Sequence, residues 1–236
     1  MKITTKPQNL NFRIRVLHAI DYPEIAQDFN NKHLEVLREF GVDKQISSVK
    51  NNWWESTYSY IIIAEHIESG ELGGGMRLDV LNENQSLPVE RVLSTMQPTV
   101  VDRLHFHYNE LAETCGMWIG KRFRHRNLPK ILMRSSICIA SKLRLQILIG
   151  LANQYTLKMT EDLGFKVVKD VGHNGTFLYP DERYKTSFVE LSLKEFTSKT
   201  NGEFGLINRL ITKPVQKVQC EFKGKVNRIE YDLRIM

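Results

Sequence analysis

Between residues 21 and 40 apolar side chains recur at helical spacing. Tyr22, Ile25, Ala26, Phe29, Leu34, Leu37 and Phe40 predict a helix there. Asp21 and Glu24 form a cap pair, Pro23 falls in the first turn, and Gly41 ends the run. The period then drops to two. Residues 58–66 are rich in β-formers, Gly70 supplies a turn, and 72–80 alternate, so this pair reads as a hairpin. Residues 82–108 read as an insertion, polar over 82–85 and then briefly apolar. A strand over 111–119, a basic loop over 122–128 and a helix over 129–143 follow, with Pro129 at a permitted early position. The remainder reads as a strand over 145–151, a helix over 153–163 closed by Gly164, and strands over 165–171 and 185–193.

The expected fold class is α+β, a mixed sheet flanked by helices. The strands at 111–119 and 145–151 are joined by a crossover helix and should run parallel. The pattern divides the chain into a domain over 1–196 and a C-terminal extension over 197–236. That extension alternates on both sides of Lys223-Gly224, which predicts a hairpin.

Hydrophobic residues make up 42% and charged residues 25%, as in soluble globular proteins. Cys115, Cys138 and Cys220 are odd in number and widely spaced, which fits a reducing compartment. The first sixteen residues lack the apolar core of a signal peptide, and the apolar runs at 60–64 and 147–152 are too short to span a bilayer. The expectation is a soluble, cytoplasmic protein. A net charge of +6 favours anionic partners: nucleic acid, a phosphorylated cofactor or an acidic carrier protein.

Two segments could carry chemistry. Lys121, Arg122, Arg124, His125, Arg126, Asn127, Leu128, Pro129 and Lys130, with Arg134 a turn on, place a basic loop before a helix. First-turn N–H groups and the helix dipole suit an anion there, although a solvated basic turn has the same composition. In the strand 111–119, strict alternation puts Glu113 on one face with Leu111, Cys115, Met117 and Ile119. Desolvation there would raise its pKa toward the range of a general base. The alternative is a strand-end glutamate paired with an arginine. Gly73-Gly74-Gly75 marks either a flexible hairpin or a close approach. His105 and His107 share a strand-like face, but no third ligand follows at zinc spacing. Trp53-Trp54 reads as core or pocket lining.

Over roughly residues 12–193 the order and motifs together resemble the GNAT superfamily of N-acyltransferases. LGGGMRLDV is similar to the family's second and third strands. ELAETCGMWIGKRFRHRNLPKILM is similar to its fourth strand, pyrophosphate loop and third helix. LQILIGLANQYTLKMTEDLGFKVV is similar to its fifth strand, fourth helix and sixth strand, with the Leu-Gly-Phe ending. The resemblance implies an acyltransferase taking acyl-CoA, or an acyl chain on acyl carrier protein, to a small-molecule amine. No tightly bound cofactor, metal, membrane or nucleic acid is implied. The donor would lie against Trp118, Ile119, Arg124, His125, Arg126, Asn127, Leu128, Lys130 and Asn153. Asn127 and Pro129 stand where the family has small residues, and Thr160 stands where many members carry a proton-donating tyrosine. Glu113 would accept the amine proton, with a backbone N–H of the 145–151 strand on the oxyanion. The insertion and extension look like acyl-homoserine-lactone (autoinducer) synthases. That likeness places Arg38, Arg77 and Glu113 at substrate-binding and catalytic positions, with Gly116 where those enzymes carry an arginine. A catalytically degenerate module that binds a thioester or a partner protein is the further alternative.

Overall fold

Alternation along β1 (Phe12–His18) buries Phe12, Ile14 and Val16 and turns Arg13 and Arg15 outward. In this computed structural model, residues 10–49, 52–196 and 202–236 are described. After β1 come α1 (Pro23–Glu39), the hairpin β2 (Ser59–His66) and β3 (Leu72–Val80), and the helices α2 (Pro88–Met96) and α3 (Pro98–His105). Next are β4 (Leu111–Ile119), α4 (Leu128–Lys142), β5 (Ile147–Asn153), α5 (Leu157–Asp162), β6 (Lys166–Val167), β7 (Phe177–Leu178) and β8 (Lys185–Ser192). The chain ends in α6 (Leu193–Phe196), α7 (Glu203–Thr212), β9 (Val215–Phe222) and β10 (Lys225–Ile235).

The described strands form one mixed sheet in the order β6-β8-β5-β4-β3-β2-β1-β10-β9, with β7 also on β8. β4 and β5 are parallel, as the crossover predicts, and β1 and β10 are the second parallel pair. On one face Ile131, Leu132 and Ile139 of α4 share a core with Ile62, Met76, Leu78 and Ala112, and α7 adds Ile207 and Leu210. On the other face Ala26 and Phe29 of α1 meet Ile61, Ile63, Trp53 and Trp118. Val89 and Leu93 of α2 join Leu111, Ile149 and Phe188 further along that face.

Several expectations are corrected. The insertion is two helices, each with proline in its first turn, and Glu90 Oε1 accepts the Leu87 N–H at 2.8 Å. His105 and His107 therefore do not share a strand face; His105 lies on α3 and meets Glu90 at 3.0 Å. The helix expected over 153–163 shrinks to α5 because Asn153 completes β5. Its Oδ1 accepts the N–H groups of Tyr155 at 3.0 Å and Thr156 at 3.2 Å. The strand expected over 165–171 is only β6, since the chain leaves β8 after Val168 and turns at Gly172, φ +68°. The glycine run serves packing. A Cβ on Gly75 would sit 2.5 Å from Phe29 Cε2, and one on Gly74 2.9 Å from the Trp118 carbonyl. The C-terminal hairpin turns at Lys223 and Gly224, φ +50° and +70°, and extends the main sheet through β10. The N-terminal run before Leu10, and the boundary at 196/197 with the first five residues of the extension, lie outside the described residues.

Candidate active site

β4 and β5 pair only from Leu111–Thr114 to Ile147–Gly150. Beyond that point β4 continues to Ile119 and β5 to Asn153 without pairing each other, so the sheet opens into a cleft. A cavity of about 630 Å³ fills it. Cys115, Gly116 and Met117 form one wall and Leu151, Ala152 and Asn153 the other. Met76, Met133 and Val189 supply apolar lining, and Leu37 and Phe40 reach it from the end of α1. Glu113, His33, Ser47, Thr160 and Tyr179 are among the polar groups on its surface. A cleft whose surface is mostly apolar, with polar side chains set into it, suits a small-molecule site.

Glu113 is 2% exposed, and its Oε2 accepts the Val89 N–H at the start of α2 at 2.9 Å. Burial pushes its carboxyl up to about 8. The Val89 hydrogen bond opposes the rise, and the Asp79 carboxylate adds to it. Arg77 does not neutralise it by direct pairing. Its Nε and Nη2 reach Asp79 Oδ2 at 2.8 and 2.7 Å, Nη1 donates to the Ser48 carbonyl at 2.9 Å, and the guanidinium lies over Trp53. The expected face is corrected at Gly116. The β3–β4 register steps from Gly75↔Trp118 to Arg77↔Cys115, so Gly116 and Met117 together face Met76. This bulge, with Gly116 at φ +57°, reverses the parity. Met117 and Ile119 pack into the α4-side core with Ala112, while Trp118 packs with α1.

His33 was not signalled by apolar spacing. The buried stripe of α1 is Ala26, Phe29, Asn30 and His33, an i, i+3, i+4, i+7 series in which two members are polar. That series was the available signal. The ring of His33 faces the bulge: a Cβ on Gly116 would lie 3.7 Å from both Nδ1 and Cε1. His33 is 3% exposed, and burial, with the Arg77 charge second, lowers its pKa to about 3. It is a neutral imidazole.

Of the remaining expected site residues, Thr160 and Asn153 line the cavity and the others do not. The Thr160 hydroxyl donates to the Thr156 carbonyl at 2.9 Å within its own helix. Arg38 is exposed, faces Asp43 at 3.8 Å, and lies outside the cavity lining. Trp118 and Ile119 are turned into the two cores. The basic loop keeps its shape through left-handed His125 and Asn127, φ +62° and +63°. Most of its cations, expected to face an anion, are engaged internally, while exposed Lys121 and His125 have no ion pair among the described residues. Arg122 meets Glu71 at 2.9 Å, Arg124 meets Glu39 at 2.7 Å, and Lys130 meets Glu203 at 3.1 Å. Arg126 is buried against Asn227, and Arg134 joins Glu203 and Tyr231, each at 2.5 Å. What the loop can offer an anion is the exposed Lys121 ammonium and the first-turn N–H groups of Leu128 and Lys130.

A second, smaller cavity of about 190 Å³ adjoins the first through Ser47, which lines both. Arg77, Asp79, Ser56, Gln85 and Arg91 line it. Arg77 is neutralised by Asp79, whereas half-buried Arg91 has no ion pair among the described residues.

No protein-family model matches the chain, and no curated protein matches it. Solved structures do. BjaI, a CoA-dependent acyl-homoserine lactone synthase, is 12% identical over 94% of this chain and 97% of its own, with a TM-score of 0.57. FeeM, an N-acyl amino acid synthase from uncultured soil microbes, is 14% identical over 80% of this chain and 95% of its own, with a TM-score of 0.56. The AHL synthase LasI is 13% identical over 84% of this chain and 94% of its own, with a TM-score of 0.52. At these identities the likeness is one of fold. The chain has the α+β fold of these synthases, as the motif resemblance implied. No helix among the described residues is long and apolar enough to cross a membrane.

Proposed function

We propose that the chain is an N-acyltransferase that moves an acyl group from a thioester, acyl-CoA or acyl carrier protein, to a small-molecule amine. The observation that carries this reading is the buried carboxyl of Glu113, opening on the cleft where β4 and β5 separate. The fold supports it, and one BjaI structure holds SAM and isopentyl-CoA. The donor's acyl chain lies among Met76, Met133 and Val189. Its phosphate is held by the N–H groups at the start of α4.

The acceptor approaches from the smaller cavity, where unpaired Arg91 suits an anionic substituent such as a carboxylate. Glu113 takes the amine proton as nitrogen attacks the thioester carbonyl. The new C–N bond forms, the carbonyl electron pair moves to oxygen, and collapse expels the sulfur with its bonding pair. A thiol has a pKa of about 8.5, so the thiolate leaves without a dedicated acid. Thr160, fixed on its own helix backbone, is not assigned that task. Mixing the protein with an acyl thioester and a panel of amines should release free thiol, and Glu113→Gln should suppress the release.

A binding module is the second reading, favoured by the internally paired loop cations and by Thr160 in place of a tyrosine. Tight thioester binding with no thiol release for any amine would support it.

A further inference from the structure

We propose that His33 is a catalytic residue of this cleft, a neutral imidazole whose N–H donates to the thioester carbonyl oxygen and to the oxyanion that forms from it. This rests on the acyl-transfer reading of the cleft and adds a residue that neither the fold nor the sequence motifs assign.

The geometry runs from Glu113 outward. An amine that gives its proton to Glu113 must lie within hydrogen-bond reach of that carboxyl, about 3 Å. Its nitrogen must also approach the carbonyl carbon within about 3.5 Å. Both conditions keep the carbonyl within about 6.5 Å of the Glu113 carboxyl, in the cavity that Glu113 shares with residues 115–117 of β4. At that point Gly116 and Met117 lie beyond the last β5 pair and outside the β3 register, so neither neighbouring ladder claims them. The His33 ring stands against Gly116. No hydrogen bond to its ring nitrogens is found among the described residues, and the 3%-exposed side chain opens on the cavity. A buried polar group without a protein partner, on a cavity wall, is placed to meet a ligand.

The charge environment selects the role. Arg77 of β3 is the charge that acts on the ring, Phe29 of the same helix meets it edge-on, and Asp79, Cys115 and Glu113 act in turn on Arg77. A buried imidazole beside a guanidinium stays unprotonated at neutral pH, so it neither gives up nor accepts a proton during the reaction. A neutral imidazole N–H can still polarise a carbonyl and stabilise negative charge on oxygen. As nitrogen attacks, the C=O π pair moves onto oxygen and the His33 hydrogen bond strengthens. When the C–S bond breaks, that pair reforms the carbonyl of the amide and the hydrogen bond relaxes.

The test pairs His33→Phe with His33→Gln, which keeps an N–H donor, and follows thiol release together with the ring ¹⁵N signals of the wild-type protein. His33→Phe should lower kcat by roughly 10²-fold or more with little change in donor KM, and His33→Gln should recover part of the loss. The probe is a dethia acyl-CoA, with CH₂ replacing sulfur and the carbonyl retained. Its addition should shift a His33 ring nitrogen that stays neutral through about pH 6. An active wild type with unchanged kcat in His33→Phe would overturn this proposal and leave the acyl-transfer reading standing. So would probe binding that leaves the ring nitrogens unmoved, a result independent of whether the variants fold. A wild type that neither binds the probe nor releases thiol would overturn the acyl-transfer reading, and this role with it.

Discussion

Asn227 of β10 is tied to Arg126 of the loop before α4 by two hydrogen bonds. Its Nδ2 donates to the Arg126 carbonyl at 3.1 Å, and its Oδ1 accepts from Arg126 Nη1 at 3.4 Å. Arg126 lies between left-handed His125 and Asn127. A left-handed non-glycine residue costs roughly 1–2 kcal/mol, so the clamp holds a loop that would otherwise relax. Glu203 of α7 reinforces it through Lys130 and Arg134. The C-terminal extension thereby braces the segment assigned to the donor phosphate.

Asn227→Leu should therefore lower stability by about 1–3 kcal/mol, since Arg126 loses both partners. It should also raise the donor KM more than it changes kcat. Thermal unfolding and steady-state kinetics read the two effects. An unchanged KM in a folded variant would separate the clamp from donor binding.

Gly75 makes a purely structural prediction. A Cβ there would sit 2.5 Å from Phe29 Cε2, closer than packing allows. Gly75→Ala should cost about 1–3 kcal/mol. Adding Phe29→Leu should recover part of it, because the smaller side chain makes room. Denaturant unfolding of both single variants and the double variant would detect the coupling, and strictly additive losses would contradict the contact.

Much of the architecture is legible in the chain, because the β-formers of β2, the alternation in β3, β4 and β10 and the helical period of α1 are local patterns. The two helices of the insertion were not, although Pro88 and Pro98 each open one and Glu90 caps the first. Their apolar stripes are too short to stand out as a helical period. Glu113 could be chosen because a carboxylate on an apolar strand is chemically conspicuous. Leu111 and Cys115 share its face as alternation implies, but Met117 and Ile119 do not, because the Gly116 bulge is a tertiary feature that reverses side-chain parity. His33 was missed because it fills an apolar slot of α1 with a polar ring. The pairing of the basic loop is not legible locally, since Glu39, Glu71 and Glu203 arrive from distant parts of the chain to meet Arg124, Arg122 and Lys130.

The same carboxyl predicts how stability depends on pH. Glu113 stands at about 8 in the folded protein against an ordinary value of 4.5, so folding favours its neutral form. That contribution is complete below the unfolded value and declines as pH rises through the folded one, with a slope approaching about 1.4 kcal/mol per pH unit in between. Glu113→Gln keeps the shape and carries no charge. Its melting temperature should exceed the wild-type value near pH 8.5 and converge with it near pH 5. An equal difference at both values would mean that the carboxylate is not desolvated in the fold.

The central claim is that Glu113 takes the proton of the attacking amine. It is tested most directly by kcat/KM for thiol release, measured from about pH 6 to about pH 9 in the wild type and in Glu113→Gln. The wild-type profile should rise through an apparent pKa near 8, the position of the buried carboxyl. Glu113→Gln should be slower by roughly 10²-fold or more and should lose that limb, keeping only the ionisation of the amine itself. Equal rates with superimposable profiles would contradict the assignment.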